Sequence, residues 1–379
     1  MTVISSSCRL PACIHLDRLR QNVTLVKSRV PGHIRIMGVV KCDAYGHGLI
    51  PISRTLRQSG VEDLVVSGVS EGIVLRRSGI DCTILALTDP VYPCLQDILD
   101  HRLTITIADP GYADTLISYL MRKSEIFRVH VKIDTGLGRF GLSPDQVIGI
   151  MKKLNATPHI QVDGVYTHLA RTFHNDAKSN AFTQKQIALF ESILDRLEDA
   201  GLLPPVIHLG SSTGLLGFPG MICSGRLNAL RIGSLFFGYT ERDHEWEERP
   251  MPVAEVSTQI LQVRDVTPGS NVGYHDFHRI TQSGQVAVIH GGYDHGMHGD
   301  METILNPVVN GAVARLIGKP SMANSLIDIS GIPGVAVRDK VLLAGKDTDL
   351  SALAKGIGRG TWEILLPLLT NARKTYMDI

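Results

Sequence analysis

Eight short apolar runs, spaced through the first two thirds of the chain, set the strongest limit on its fold. They lie at Ile34–Lys41, Leu64–Val69, Thr83–Leu87, Leu103–Ala108, Phe127–Ile133, Ile160–His168, Val206–Leu209 and Ala229–Gly233. Several are near-continuous Val, Ile and Leu, the composition of strands buried on both faces. Helical patterns separate them. Leu16, Leu19, Val23 and Val26 share one stripe around Asp17. Thr183–Ala200 carries Ile187, Phe190, Ile193, Leu194 and Leu197 at helical spacing, and Gly201, Pro204 and Pro205 end it. Eight strands alternating with helices over about 200–250 residues suit a (β/α)8 TIM-type barrel or an open doubly wound sheet. The pattern by itself does not separate these two.

The character changes near residue 240. Thr240–Pro252 is charged, holds two prolines and reads as a linker. Alternating runs with turn signals follow at Val256–Val266, Val286–His290, Ala312–Ile317, Leu326–Ile329 and Lys340–Leu343. They predict a mainly antiparallel β domain. The expected division is a barrel over 14–242 and a C-terminal β domain over 243–379. Residues 1–13 form an N-terminal strand that joins the latter.

Composition excludes several classes of function. Lys and Arg total 38 against 37 Asp and Glu, a formal charge of +1, which gives no basic surface for nucleic acid. No apolar run approaches the length of a membrane span, and no basic-then-apolar secretory leader opens the sequence, so no membrane association is expected. The six Cys are scattered, form no CxxC pair and suit reduced cytoplasmic thiols better than disulfides or a metal site. No Cys follows Cys223.

The first barrel run ends in VKCDAYGHG (Val40–Gly48), which puts Lys41 at the C-terminal edge of a strand, where barrels do their chemistry. A Lys desolvated there loses proton affinity and becomes a nucleophile or base. The bland alternative is a Lys that has simply left the barrel for solvent. The segment resembles the pyridoxal 5'-phosphate (PLP) signature of the alanine racemase family. That resemblance implies that Lys41 carries PLP covalently and that Tyr45 contacts its phosphate.

Further segments follow in the family's order. VKIDTGLGRFG (Val131–Gly141) implies that Arg139 binds the PLP phenolic oxygen and that a carbamylated Lys132 holds Arg139; a salt bridge from Lys132 to Asp134 or another carboxylate is the alternative. VYTHLA (Val165–Ala170) nominates His168 as facing the cofactor ring. HLGSSTG (His208–Gly214) nominates Ser211 for the phosphate. LRIGSLFFGY (Leu230–Tyr239) offers the backbone of Gly233 and Ser234 to the phosphate, with Gly46 as a further cradle. The resemblance places Arg231 against the pyridine nitrogen, supported from beneath by His208. A guanidinium keeps its proton, so it leaves that nitrogen unprotonated.

Racemisation needs proton exchange on both faces of Cα. NVGYHDFH (Asn271–His278) resembles the family's tyrosine motif and nominates Tyr274, which the family supplies from a partner subunit. A homodimer with a shared active site is therefore implied. Tyr293 in HGGYDHG resembles a gate to the substrate, and Met322 in GKPSMAN a contact to the substrate carboxylate. The chain departs from the family at His275, Asp276 and Ala323. Most of all it departs at Thr370, where alanine racemases usually carry a Tyr that walls the methyl pocket. A Thr there enlarges or polarises the pocket and weakens the expectation of alanine specificity, leaving serine or a larger amino acid as alternatives. Barrel-type PLP decarboxylases and zinc-assisted dehydratases or aldolases are disfavoured by Arg231 and by the absence of Cys beyond Cys223. Single-barrel PLP carriers are disfavoured by the second domain.

Overall fold

The computed structural model describes residues 9–88, 95–121, 123–274, 278–299, 301, 305–348, 350–356 and 358–378. Cys8, Cys94, His275, Asp276 and the first part of the expected N-terminal strand lie outside these residues. The chain divides into two units: Arg20–Ala44 with Leu49–Pro250, and Met1–Leu19 with Tyr45–Gly48 and Met251–Ile379.

The first strand, β1 (Pro11–His15), belongs to the second of these units. Eight parallel strands then close into a barrel among the described residues. They are β2 (Arg35–Val39), β3 (Asp63–Val66), β4 (Ile84–Ala86), β5 (Thr104–Ile107), β6 (Phe127–Lys132), β7 (Ile160–Tyr166), β8 (Val206–Ser211) and β9 (Ala229–Ile232). Pairing of β2 with β9 closes the ring and excludes the open sheet. Every residue of β3, β4, β5 and β9 is buried, as strands covered on both faces require. Two register shifts break the ladder, one between Val129 and His130 on β6 and one between His208 and Gly210 on β8. Such bulges re-aim side chains beside active sites.

The helices around the barrel bury one stripe each. In the helix Leu16–Ser28, Leu19, Val23 and Val26 are buried, matching the predicted stripe except for its partly exposed first member. The long helix runs Ala177–Asp199, opening ahead of the predicted Thr183. Its true start is set by Asp176, whose carboxylate accepts the Ser179 N–H at 2.9 Å. Gly201, at φ +66°, terminates it.

The second unit is built on β10 (Ala254–Val266), β13 (Gly284–His290), β14 (Val308–Val309), β15 (Ala312–Val313), β16 (Arg315–Leu316), β17 (Asn324–Asp328) and β18 (Lys340–Ala344), in the order β15-β14-β18-β10-β13-β17-β16. The pairs along this order that are described are antiparallel, as predicted. A small hairpin, β11 (Asn271–Val272) with β12 (His278–Arg279), stands apart from the main sheet. The short strands β11, β12 and β14 and the longer β19 were not anticipated; β19 (Arg373–Met377) runs parallel to β1, which also pairs antiparallel with β10. Its sequence, RKTYM, has no buried face and so carries no apolar alternation.

The helix Thr361–Thr370 lies close to two glycines of the same unit. A Cβ on Gly46 would sit 2.8 Å from the Leu369 Cβ, and one on Gly296 2.5 Å from the Pro367 carbonyl carbon. Gly46, expected as a phosphate cradle, is thus accounted for by its φ of +79° and by close packing on this helix.

Candidate active site

Lys41 follows β2 at the C-terminal end of the barrel. The chain then does something unusual for residues with side chains. Cys42, Asp43, Ala44 and Tyr45 all have φ of 54–56°, a left-handed turn. Each such L-residue costs roughly 1–2 kcal/mol. Local hydrogen bonds hold the turn: Ala44 N–H donates to the Val40 carbonyl at 2.9 Å, and Leu49 N–H to the Asp43 carboxylate at 2.7 Å. Glu71 links it to the next strand end, accepting from Asp43 N–H at 3.2 Å and Ser67 N–H at 2.7 Å. Strain of this kind concentrates at functional sites.

The Lys41 ammonium is disfavoured. Burial lowers its pKa, Arg139 and Arg231 lower it further, and Cys42 and Glu71 oppose the shift. Arg139 lies on the loop after β6, over the Phe140 ring at 5.2 Å. Lys132, the buried last residue of β6, places its Nζ 3.6 Å from the centre of that same ring. Asp134 shapes the loop between them, accepting the N–H groups of Gly136, Leu137 and Gly138 at 2.9–3.2 Å.

Arg231, on β9, is 4% exposed. Its Nη1 donates to His208 Nδ1 at 2.5 Å and its Nη2 to the Thr167 carbonyl at 2.8 Å. His168 Nδ1 lies 3.3 Å from Nη2. Burial, reinforced by Arg231, holds both His168 and His208 well below the usual imidazole range, so both are neutral. Burial also brings Arg231 down to about 10, which leaves it charged at neutral pH. Tyr166 stacks on His208 with ring centres 4.7 Å apart and planes 10° apart, and its hydroxyl meets Thr106 Oγ1 at 2.9 Å.

Beneath His208 lies a residue the motifs did not nominate. His130 Nδ1 is 2.9 Å from His208 Nε2. The signal for it was the period of two along β6, which puts His130 on the same strand face as Lys132. Ser212, also not nominated, adjoins the expected phosphate groups. Its hydroxyl accepts the Gly233 N–H at 3.0 Å, so that N–H, expected to face a phosphate, has a partner within the protein. Ser211 caps the short helix Ser212–Gly217, accepting from Gly214 N–H at 3.3 Å. Ser234 is buried beside them in sequence. Lys41, Lys132, Arg139, His168, His208, Ser211, Arg231, Gly233 and Ser234 thus all belong to the barrel unit, and all but mid-strand His208 lie on or just beyond the C-terminal halves of its strands.

The remaining nominated residues belong to the other unit. Tyr45 meets the Trp362 ring edge-on at 4.6 Å. Tyr274 follows Val272, which packs with Val286 and Ile317 in a small core that anchors the β11–β12 hairpin. Tyr293 and Met322 are brought together, since Tyr293 N–H donates to the Ser321 carbonyl and Asp294 N–H to the Met322 carbonyl, both at 3.0 Å. Gly292 permits that approach, because a Cβ there would lie 2.1 Å from the Ser321 oxygen. Tyr274, Tyr293 and Met322 are 61%, 51% and 62% exposed. The Thr370 hydroxyl is exposed and donates to the Leu366 carbonyl of its own helix at 2.8 Å.

Known proteins share this fold. The family model for the alanine racemase N-terminal domain matches residues 14–241, and that for the alanine racemase C-terminal domain matches residues 253–376. The alanine racemase of Halothermothrix orenii is 29% identical over 334 residues, spanning 88% of this chain and 86% of that protein. That of Treponema denticola is 27% identical, spanning 97% and 98%. The solved alanine racemase of Clostridium difficile 630 superposes with a TM-score of 0.85 at 27% identity, covering 97% of this chain and 95% of its own. With both family models matched in order over nearly all of its length, this chain belongs to the alanine racemase family.

Proposed function

We propose that this protein is a PLP-dependent racemase of alanine or a small related amino acid, exchanging the Cα proton between two bases. One observation carries the reading: a desolvated Lys41 amine at the barrel's C-terminal end, its proton affinity lowered further by Arg139 and Arg231. The donor set fits PLP. Lys41 would bind the cofactor, Arg139 its phenolic oxygen, and Ser211, Ser234 and Tyr45 its phosphate. Arg231 would face the ring nitrogen. Bound PLP supplies an electron sink for the bonds at the substrate's Cα.

The chain's own residues do the rest. A Lys41 amine with lowered pKa takes and returns a proton at Cα on one face. Tyr274, supplied by a partner subunit in a homodimer, serves the other face. Arg231 keeps its charge, its guanidinium resting on neutral imidazoles and backbone carbonyls. This keeps the sink weak, favours prompt return of the proton and disfavours decarboxylation. Lys132 supports Arg139, and carbamylation would give it the negative charge for that task. Tyr293 and Met322 would line the way in. Thr370 in place of a Tyr supports acceptance of serine or larger side chains beside alanine, a preference of about 1–3 kcal/mol per added group.

The test is chiral chromatography of each L-amino acid incubated with the PLP-loaded enzyme. The expected result is racemisation of at least one small amino acid, abolished in Lys41→Ala and strongly reduced in Tyr274→Phe. Absence of racemisation across all of them, or activity unchanged in Tyr274→Phe, refutes the reading.

A further inference from the structure

We infer that His130 is a positioning residue for Arg231: in a hydrogen-bond relay of fixed polarity it accepts the Nε2 proton of His208, and so holds in place the Nδ1 acceptor on which Arg231 rests. The argument starts from donors and acceptors. His130, His208 and Arg231 are 2%, 0% and 4% exposed, so their polar groups need hydrogen-bond partners. A guanidinium has donors only. The contact from Arg231 Nη1 to His208 Nδ1 therefore requires that Nδ1 be bare. A neutral His208 then carries its proton on Nε2 and donates it to His130 Nδ1, 2.9 Å away. His130 in turn is bare at Nδ1 and protonated at Nε2. One cation thus dictates both tautomers, and every proton in the relay points away from it.

The relay ends at the opposite face of the barrel. Among the described residues no protein group accepts from His130 Nε2. His130 instead lines a hollow of about 400 Å³ at the N-terminal mouth, together with Arg35, Asp63, Arg128 and Asp163. The hollow leaves the His130 Nε2–H within reach of solvent. Both imidazoles stay neutral; burial, reinforced by Arg231, brings His130 down to about 3. Donation from His208 to His130 polarises the His208 ring and strengthens its Nδ1 as an acceptor. Arg231 thereby gains a firm neutral support that does not cancel its charge, as a carboxylate would.

The surroundings are built for these rings. His130 pairs with Gly164 across the β6–β7 bulge. A Cβ on Gly164 would lie 2.6 Å from His130 Nδ1 and Cε1, so the glycine makes room for the imidazole. Stacked Tyr166, tied through its hydroxyl to Thr106, restrains the His208 ring from the side.

The tautomers are read directly by NMR of protein carrying 15N-labelled imidazoles, with and without PLP. We expect His208 and His130 to be bare at Nδ1 and protonated at Nε2, unchanged from about pH 5 to about 9. His130→Phe removes the acceptor, Gly164→Ala displaces it, and His130→Asn keeps an oxygen near the Nδ1 position. The first two variants should move the His208 resonances. They should also lower kcat at least ~10-fold with KM within ~3-fold, and His130→Asn should restore kcat to within ~3-fold of the parent. A His208 protonated at Nδ1, or His208 resonances unmoved by His130→Phe, overturns the proposal. So does an Asn variant as impaired as the Phe variant, which would mark a packing role. If His130→Phe does not fold, Gly164→Ala and His130→Asn decide alone. The kinetic arm rests on the proposed racemase activity; the NMR arm does not, so the two readings fail separately.

Discussion

At the scale of single residues, the barrel interior holds three imidazoles in their neutral form: His130, His168 and His208. Their folded-state pKa values are depressed, so their contribution to stability is complete above about pH 6.5, where the unfolded chain is also neutral. Below that, the unfolded chain takes up protons that the fold refuses, and stability falls. For His130 the window runs from 6.5 down to about 3. Each imidazole steepens the loss by roughly 1.4 kcal/mol per pH unit. Urea unfolding of the parent and of His130→Asn, followed from neutral pH into this window, should show the gap between them narrowing at about that slope as pH falls. A gap independent of pH would sink the assignment. The resemblance to the alanine racemase motifs led to His208 and Arg231, whose segments match the family in order. Those motifs passed over His130 because it sits in mid-strand at a bulge, where an apolar residue is the ordinary expectation.

Among elements, the left-handed turn after Lys41 is the least expected by propensity and the most dependent on its neighbours. Glu71 is its outside anchor, accepting from Asp43 and Ser67. Glu71→Ala leaves those two N–H groups to solvent and should lower stability by about 1–3 kcal/mol. It should also weaken PLP retention, read by dialysis and absorbance. Loss of less than about 0.5 kcal/mol would mean the turn holds itself. The barrel strands were legible because burial on both faces leaves a continuous apolar signature. The turn was not, since nothing in CDAY departs from ordinary composition. The early start of the helix Ala177–Asp199 was hidden by its polar first turn, and β19 by its exposure, although it pairs along its full length with β1.

For the whole molecule, the proposed mechanism turns on whether the two proposed bases come from one protomer or from two. Lys41 lies in one unit and Tyr274, 61% exposed, in the other. Co-expression of Lys41→Ala with Tyr274→Phe separates the arrangements. If the bases come from different subunits, each mixed dimer regains one intact site, and about a quarter of parental activity returns. If they come from one subunit, none returns. The second unit has a further consequence, for the order in which the protein is made. β1 is among its earliest segments, yet it is sandwiched between β10 and β19, and Thr375 bonds to Ala12 across 363 positions. At a synthesis rate of about 5–20 residues per second, β1 waits roughly 20–70 s for its last neighbour. The barrel can close on the ribosome during that interval, whereas the main sheet of the unit that holds Tyr274 is complete only once β19 has emerged from the exit tunnel.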